Sequence, residues 1–281
     1  MKILAKISQT IIFGNIYISI AAVLMSLYTF HIFEIQTDQS YLLFVFFATL
    51  TSYSFHWFLT PDVHSHSERY IWVNDHKKLL LTLFVTGSAG SAIFLYELRT
   101  HFLLLISLAL FTFLYSASKI PVKPFEYLKR IVIPKTLHLA AAWTIVTVVV
   151  PLVITEKKWE PQYTIFMLNR FFLIYSICAL FDYRDREEDK IQGIRNLVGL
   201  LSFGQIKFLF YVCLILFFIT GVILPFHGIH LTELSILLLP GIFLLFSFNS
   251  STGSVSDYWY YFYLDGLMML SSVLTILVRI F

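Results

Sequence analysis

The sequence predicts an all-α polytopic membrane protein, one domain of nine transmembrane helices that covers residues 1–281. Its composition is 58% hydrophobic and only 13% charged, and its mean hydropathy is +0.78. The 29 Phe and 16 Tyr are more than the core of a water-soluble domain of this size can bury. Apolar runs of about 20 residues, the length that crosses a bilayer as a helix, recur along the whole chain.

Nine apolar runs define the predicted spans, and polar or turn-forming residues separate them. The first run ends before Glu34 and Asp38 and has no convincing signal-peptide cleavage site, so we expect it to remain as a helix. Pro61 is expected to end the second span near Thr60, because proline cannot continue a helix. The spans cover roughly residues 11–33, 41–60, 79–97, 101–118, 136–155, 163–181, 206–225, 231–249 and 260–280.

The distribution of Lys and Arg orients these spans, because short cytoplasmic connections of membrane proteins are enriched in both residues. All but five of the 20 Lys and Arg residues fall on the side that holds the N-terminus; the exceptions are Arg99, Lys157, Lys158, Arg170 and Arg279. This asymmetry predicts an integral protein of the cell's inner (plasma) membrane. Its N-terminus is expected in the cytoplasm and its C-terminus outside.

The most highly charged part of the chain is ALFDYRDREEDKIQGIRNL, residues 179–197. If the helix of the sixth span continues through it, Asp182, Asp185 and Asp189 fall within about 60° of one another on one face. Clustered carboxylates suit Mg²⁺ that bridges to substrate phosphates, and the neighbouring Arg186 suits a phosphate oxygen. The alternative interpretation is a solvated helix end held by salt bridges.

These residues resemble the UbiA-type intramembrane prenyltransferase superfamily. Asp185 and Asp189 match the D-x-x-x-D of its second aspartate-rich motif, which follows the sixth helix. YSASK matches its Y-x-x-x-K element after the fourth helix, with Tyr115 and Lys119 in the two positions. The resemblance extends over essentially the whole chain. It implies nine helices around a central cavity open to the cytoplasmic side, and catalytic roles for Asp185, Asp189 and Lys119.

The resemblance also implies a reaction, the transfer of a prenyl group from a prenyl diphosphate to a small aromatic or lipidic acceptor with Mg²⁺ as cofactor. The implied metal ligands are Asp62, Asp182, Asp185 and Asp189, and the implied diphosphate ligands are Tyr115, Lys119 and Arg186. The expected partners are the prenyl diphosphate, a hydrophobic or aromatic acceptor and the lipid bilayer. Neither nucleic acid nor a protein partner is expected.

The first aspartate-rich motif of the family, N-x-x-x-D-x-x-x-D at the end of helix 2, is only partly present. In SFHWFLTPD, Ser54 replaces the Asn, Phe58 replaces the first Asp, and Asp62 alone keeps a carboxylate. This loss puts catalysis in doubt more than the fold. It favours a second hypothesis, a catalytically impaired UbiA-like protein that binds a prenyl lipid or a quinone.

Several other residues allow two interpretations each. The loop after the second span carries His64, His66 and Glu68, which suit Zn²⁺ or are simply solvated. The aromatic stretch at residues 53–58 suits either a wall that stabilises an allylic cation or a membrane interface. Asp265 is interpreted as a helix-entry or packing residue rather than one that faces a cavity. A transporter is the third hypothesis, but its ionisable residues should lie near the membrane midplane rather than at one interface.

Overall fold

The computed structural model describes residues 2–60, 67–117, 119–120, 135–191, 197–253 and 255–280. This part of the chain is helical and contains no β-strand. The main helices are α1 (Lys2–Phe13), α2 (Ile16–Ile32), α3 (Gln39–Phe58), α4 (Glu68–Asp75), α5 (Lys77–Glu97), α6 (Phe102–Ala117), α7 (Lys135–Ile154), α8 (Pro161–Ile191), α9 (Phe203–Ile223), α10 (Leu231–Leu245) and α11 (Asp265–Ile280). Shorter helical segments are Arg99–His101, Leu197–Leu200, Leu224–His227, Ser247–Ser251 and the π-helical Trp259–Leu264.

Seven helices of the described chain are long and apolar enough to cross a membrane, namely α3, α5, α6, α7, α8, α9 and α11 with the π-helical segment before it. A bent pair, α1 with α2, raises this number to eight if it counts as one span. The eighth predicted span corresponds to α10, which has only 15 residues. The all-α membrane class is therefore confirmed, whereas the predicted count of nine spans is not.

The first predicted span is not one straight helix, because α1 and α2 meet at an angle of 56°. Asn15 lies at the break in the left-handed conformation, with φ 66° and ψ 7°, which Asn tolerates better than most residues. Its side chain accepts a hydrogen bond from Arg69 Nη2 at 2.7 Å and donates one to Ser54 Oγ at 3.3 Å. A hydropathy profile misses this bend, because a single polar residue hardly changes an apolar run.

The transmembrane helices form a closed ring in which α2, α3, α6, α7, α8, α9, α10 and α11 each pack against the next, and α11 packs against α2. Helix α5 packs against α3. Within α7, the π-helical segment Ile145–Val149 presents carbonyls to its neighbours: Val146 O accepts from Tyr41 OH at 2.5 Å, and Thr147 O from Thr29 Oγ1 at 2.6 Å. Because polar backbone groups need partners inside a bilayer, these bonds hold α2 and α3 against α7.

Helix α8 is the longest, with 31 residues, and it continues to Ile191. The expectation that the sixth span extends as a helix through the acidic stretch is therefore confirmed. Asp182, Asp185 and Asp189, named the α8 aspartates below, all lie on this helical extension. Asp182 and Asp189 are 5% and 7% exposed, so this end of the helix is not simply solvated.

Candidate functional site

One cavity of about 700 Å³ lies between α3, α5, α6, α7 and α8. One end of it is lined by charged and polar side chains, among them His56, Arg69, Tyr115, Lys119, Lys135 and the α8 aspartates. The remainder is lined mainly by apolar side chains, including Phe44, Val45, Leu95, Leu105, Leu108 and Val146. Both Tyr41 and His56 of α3 line it, and 15 residues of helix span about 22 Å. The cavity therefore suits an elongated molecule with a charged head and an apolar tail.

Lys135, the first residue of α7, connects two of the α8 aspartates. Its Nζ donates to Asp189 Oδ2 at 3.1 Å and Oδ1 at 3.2 Å, and it lies 3.9 Å from Asp182 Oδ1. Thr136 Oγ1 donates a short hydrogen bond to Asp182 Oδ2. Asp182 and Asp189 are seven residues apart, about two turns of helix, so one ammonium reaches both carboxylates.

Asp185 belongs to a second ion-paired group. Arg184 Nε donates to Asp185 Oδ1 at 2.7 Å, its Nη2 donates to Tyr261 OH at 2.5 Å, and its Nη1 lies 3.4 Å from Asp257 Oδ1. Asp257 Oδ2 also accepts from the backbone N–H of Arg69 at 2.8 Å. These contacts connect the end of α8 to the start of α4 and to the segment that precedes α11.

The described part of the chain contains no group of three or more His, Cys, Asp or Glu side chains that could hold a metal ion. The α8 aspartates line one cavity, but their oxygens contact the Lys, Thr and Arg side chains named above. Asp62, the fourth predicted Mg²⁺ ligand, and the alternative ligands His64 and His66 lie outside the described residues. The described residues therefore do not by themselves supply a magnesium site.

Lys119, just beyond α6, faces the end of α3. Its Nζ donates to Thr60 Oγ1 at 2.7 Å and to His56 Nε2 at 2.8 Å, and it lies 5.6 Å from the ring centre of Trp57. The His56 ring in turn stacks on Tyr115, with ring centres 5.1 Å apart. The predicted diphosphate ligands Tyr115 and Lys119 are therefore brought together in the cavity wall.

The ionisation of Lys119 responds strongly to this environment. Burial, with a smaller contribution from the nearby Lys135 ammonium, lowers the pKa of Lys119 to about 7, although Asp189 and Asp185 oppose the shift. The protonation of the Lys119 amine is therefore expected to change near neutral pH. An anion bound beside it would favour the protonated form.

Arg69 of α4 is 3% exposed and lies between two aromatic rings of the cavity wall. Its guanidinium carbon is 4.2 Å from the ring centre of Trp57 and 3.9 Å from that of Tyr261. Asp265 begins α11, as its interpretation as a helix-entry residue predicts, but it also lines the cavity, so the expectation that it does not face a cavity is wrong. It directly follows the π-helical segment Trp259–Leu264.

Arg186 is not brought into the described cavity lining. Its guanidinium lies 4.4 Å from the ring centre of Tyr183, and its Nε is 3.5 Å from Glu187 Oε1. Its predicted role at the phosphates stays a prediction. Of the aromatic stretch 53–58, Phe58 is likewise absent from the described lining, whereas Tyr53, Phe55 and Trp57 belong to it.

Sequence reasoning missed four side chains of the site: His56, Arg69, Lys135 and Arg184. The sequence analysis used Arg69, Lys135 and Arg184 only as positive charges that predict the orientation of the protein in the membrane. His56 carried a usable signal, because a histidine within an apolar span needs a polar partner. Arg69 and Lys135 carried none, because their partners lie far away along the chain, whereas Arg184 stands next to its partner Asp185.

The sequence matches no family model and no curated protein. Among solved structures, the apo structure of a UbiA homologue from Aeropyrum pernix K1 is similar to this chain, with a TM-score of 0.64 at 12% sequence identity. The similarity covers 97% of this chain and 98% of that one. At this identity the comparison establishes the fold alone. The chain therefore has the UbiA-type fold that its motifs predict.

Proposed function

We propose that the chain is an intramembrane prenyltransferase that moves a prenyl group from a prenyl diphosphate to a small aromatic or lipidic acceptor. One observation carries this proposal: a single elongated cavity joins a charged end to an apolar end. A prenyl diphosphate has the same two parts, a multiply charged head and a hydrocarbon tail. Cavities of several hundred Å³ with mostly apolar walls and a few polar groups are typical of ligand sites.

The charged end suits the diphosphate. Lys119 and Lys135 both line it, and their ammonium groups make strong charge-assisted hydrogen bonds to phosphate oxygens. The hydroxyl of Tyr115 supplies a further donor in the same wall. These side chains would neutralise the charge that builds on the departing diphosphate.

In the proposed reaction the C–O bond of the prenyl diphosphate breaks, and its electron pair stays on the diphosphate. The acceptor forms a bond to the prenyl carbon, and an oxygen of the released diphosphate takes the proton that the acceptor loses. The allylic cation needs a dry wall of aromatic faces. Tyr53, Trp57 and Trp143 line the cavity, and Trp143 Nε1 donates to Tyr53 OH at 3.1 Å, which fixes two of these rings.

Mg²⁺ is the cofactor that the resemblance implies, and its use here stays a prediction. No step above depends on it, because the described residues do not form a magnesium site. Asp62 and the phosphates themselves are the further oxygen donors that a bound Mg²⁺ would require.

A second candidate function is the binding of a prenyl lipid or quinone without turnover. The ion pairs at the α8 aspartates favour this second candidate, because carboxylates that already contact Lys and Arg are less available for contacts in catalysis. The two candidates share the cavity and differ in whether the diphosphate is released.

Incubation of the purified protein with radiolabelled prenyl diphosphates of several lengths, Mg²⁺ and a lipid extract tests the proposal. We expect release of diphosphate together with a labelled prenylated product. Lys119→Ala should lose both signals, and Lys157→Ala, at an exposed position beyond the other end of α7, should keep them. Binding without release in every extract would favour the second candidate. Absence of both binding and release would exclude the proposed prenyltransferase.

A further inference from the structure

The ammonium of Lys135 occupies a position between two carboxylates that a divalent cation could also take. It contacts both oxygens of Asp189 and lies 3.9 Å from Asp182, in the wall of the cavity. Two nearby carboxylates in a site of low polarity need a counter-cation, because an uncompensated buried charge is costly. Lys135 meets that need from within the chain.

We propose that Lys135 is a built-in counter-cation that takes the place of a metal ion between Asp182 and Asp189. The chain then binds the diphosphate head of its substrate without a divalent cation. This inference rests on the proposed function, the binding of a prenyl diphosphate, and adds that the binding is metal-independent.

The donor count of Lys135 supports this role. An ammonium carries three N–H donors and no acceptor. Its contacts with Asp189 use one or two of them, and its side chain remains 19% exposed on the cavity side. At least one donor is therefore left for a phosphate oxygen. The ammonium can neutralise the carboxylates and bind the anion at once, as a bridging metal ion does.

The other cationic side chains of the site also support metal-independent binding. Two more cations, Lys119 and Arg69, line the same cavity near the end of α3. Nε of Arg69 is buried and has no hydrogen-bond acceptor among the described residues, so this guanidinium retains an unused donor. The third α8 aspartate, Asp185, is bound by Arg184 at 2.7 Å. Each of the three α8 aspartates thus lies within 4 Å of a protein cation.

Binding of geranylgeranyl diphosphate to the purified full chain, measured with EDTA and with excess Mg²⁺, tests the inference. The wild type should bind in EDTA with nearly the affinity seen in Mg²⁺. Lys135→Ala should weaken binding in EDTA on the order of 30-fold or more, as the loss of one partner of a buried charge pair does. Added Mg²⁺ should restore much of this loss, because the vacated carboxylates can then hold the ion.

Two further variants serve as controls. Lys135→Arg keeps the charge and should retain binding in EDTA even if Lys135→Ala does not fold. Lys157→Ala removes an exposed lysine at the far end of α7 and should behave as the wild type in both conditions.

Three results would overturn the inference. Wild-type binding that requires Mg²⁺ would reject metal independence and leave the proposed function intact. Unchanged binding of Lys135→Ala in EDTA would reject Lys135 as the counter-cation. Failure of the wild type to bind in either condition would reject the proposed function itself, and the inference with it.

Discussion

Lys119 is a single residue of the site whose charge is expected to change near neutral pH. Its ammonium donates to His56 and Thr60, and burial lowers its pKa to about 7. Below that pH the Lys119 amine is already protonated before an anion binds. Above it, binding of an anion must first recruit a proton from solvent.

The affinity for prenyl diphosphate is therefore expected to fall as the pH rises from about 6 to about 9. The folded-state pKa of Lys119 is depressed, so the favourable charge is present below pH 7 and is lost as the pH rises through that value. Calorimetry in buffers of different ionisation enthalpy should detect proton uptake on binding above pH 7. Lys119→Arg should flatten the profile, because guanidinium stays charged throughout this range. An equally steep profile for Lys119→Arg would assign the pH dependence to another group.

Tyr115 and Lys119 allow a second prediction at this scale. Lys119→Ala and Tyr115→Phe should weaken binding of a prenyl diphosphate on the order of tenfold or more, since hydrogen bonds to a charged group are lost. Binding of the corresponding prenyl alcohol, which lacks the phosphate oxygens, should change much less. Equal losses for both ligands would mean that the two side chains only support packing. Phenylalanine keeps the ring that stacks on His56, so the Tyr115 variant isolates the hydroxyl.

At the scale of helices, the close approach of α3 and α5 shapes one wall of the cavity. A Cβ atom at Gly87 would lie 2.6 Å from Thr51 Oγ1, 3.1 Å from Thr51 N and 3.2 Å from Phe47 O. Two of these atoms belong to the backbone of α3 and cannot turn aside. Small residues allow such contacts between membrane helices.

Gly87→Ala is expected to destabilise the protein by about 1–3 kcal/mol, the usual cost of overpacking. Gly204→Ala is the matched control, because a Cβ there meets nothing within 4 Å and alanine favours the helix. Thermal unfolding in detergent should show a lower midpoint for Gly87→Ala than for Gly204→Ala. Equal midpoints would mean that α3 and α5 can move apart to accommodate the added Cβ atom without loss of stability.

At the scale of the whole molecule, the charged end of the cavity and the loop after α7 lie at opposite ends of the bundle, because α7 begins at Lys135 and runs to Ile154. Glu68, at the start of α4, and Lys157 are both exposed. A label at Glu68 therefore probes one end of the helical bundle, and a label at Lys157 probes the other. The native Cys178 and Cys213 are buried, so they give little background in a thiol-labelling experiment.

Cysteines introduced as Glu68→Cys and Lys157→Cys are expected to react with a membrane-impermeant thiol reagent from opposite sides. The Lys and Arg distribution predicts that Glu68 is cytoplasmic and that Lys157 is outside. Labelling of intact cells and of inverted vesicles distinguishes the two faces. Reaction of both positions from the same side would contradict the span assignment, and exchange of the two sides would contradict the predicted orientation.

The all-α membrane class, seven of the nine spans and the helical continuation through Asp182, Asp185 and Asp189 were predictable from the sequence alone. Apolar run length and helical period are local properties, so they can be read along the chain without knowledge of the packing. The motif residues Tyr115 and Lys119 were identified by the resemblance to the UbiA-type superfamily, and both line the cavity.

The contacts that the motif residues make could not be predicted without the packing of the helices. Lys135 and Asp189 are 54 positions apart, and Arg69 and Asp257 are 188 apart, so their pairing depends on how helices rotate and pack. The bend at Asn15 and the turn before Asp265 change that rotation without leaving a mark in the hydropathy profile. The ion pairs of Lys135 with Asp182 and Asp189 therefore arise from packing between helices distant in the sequence, which no local pattern encodes.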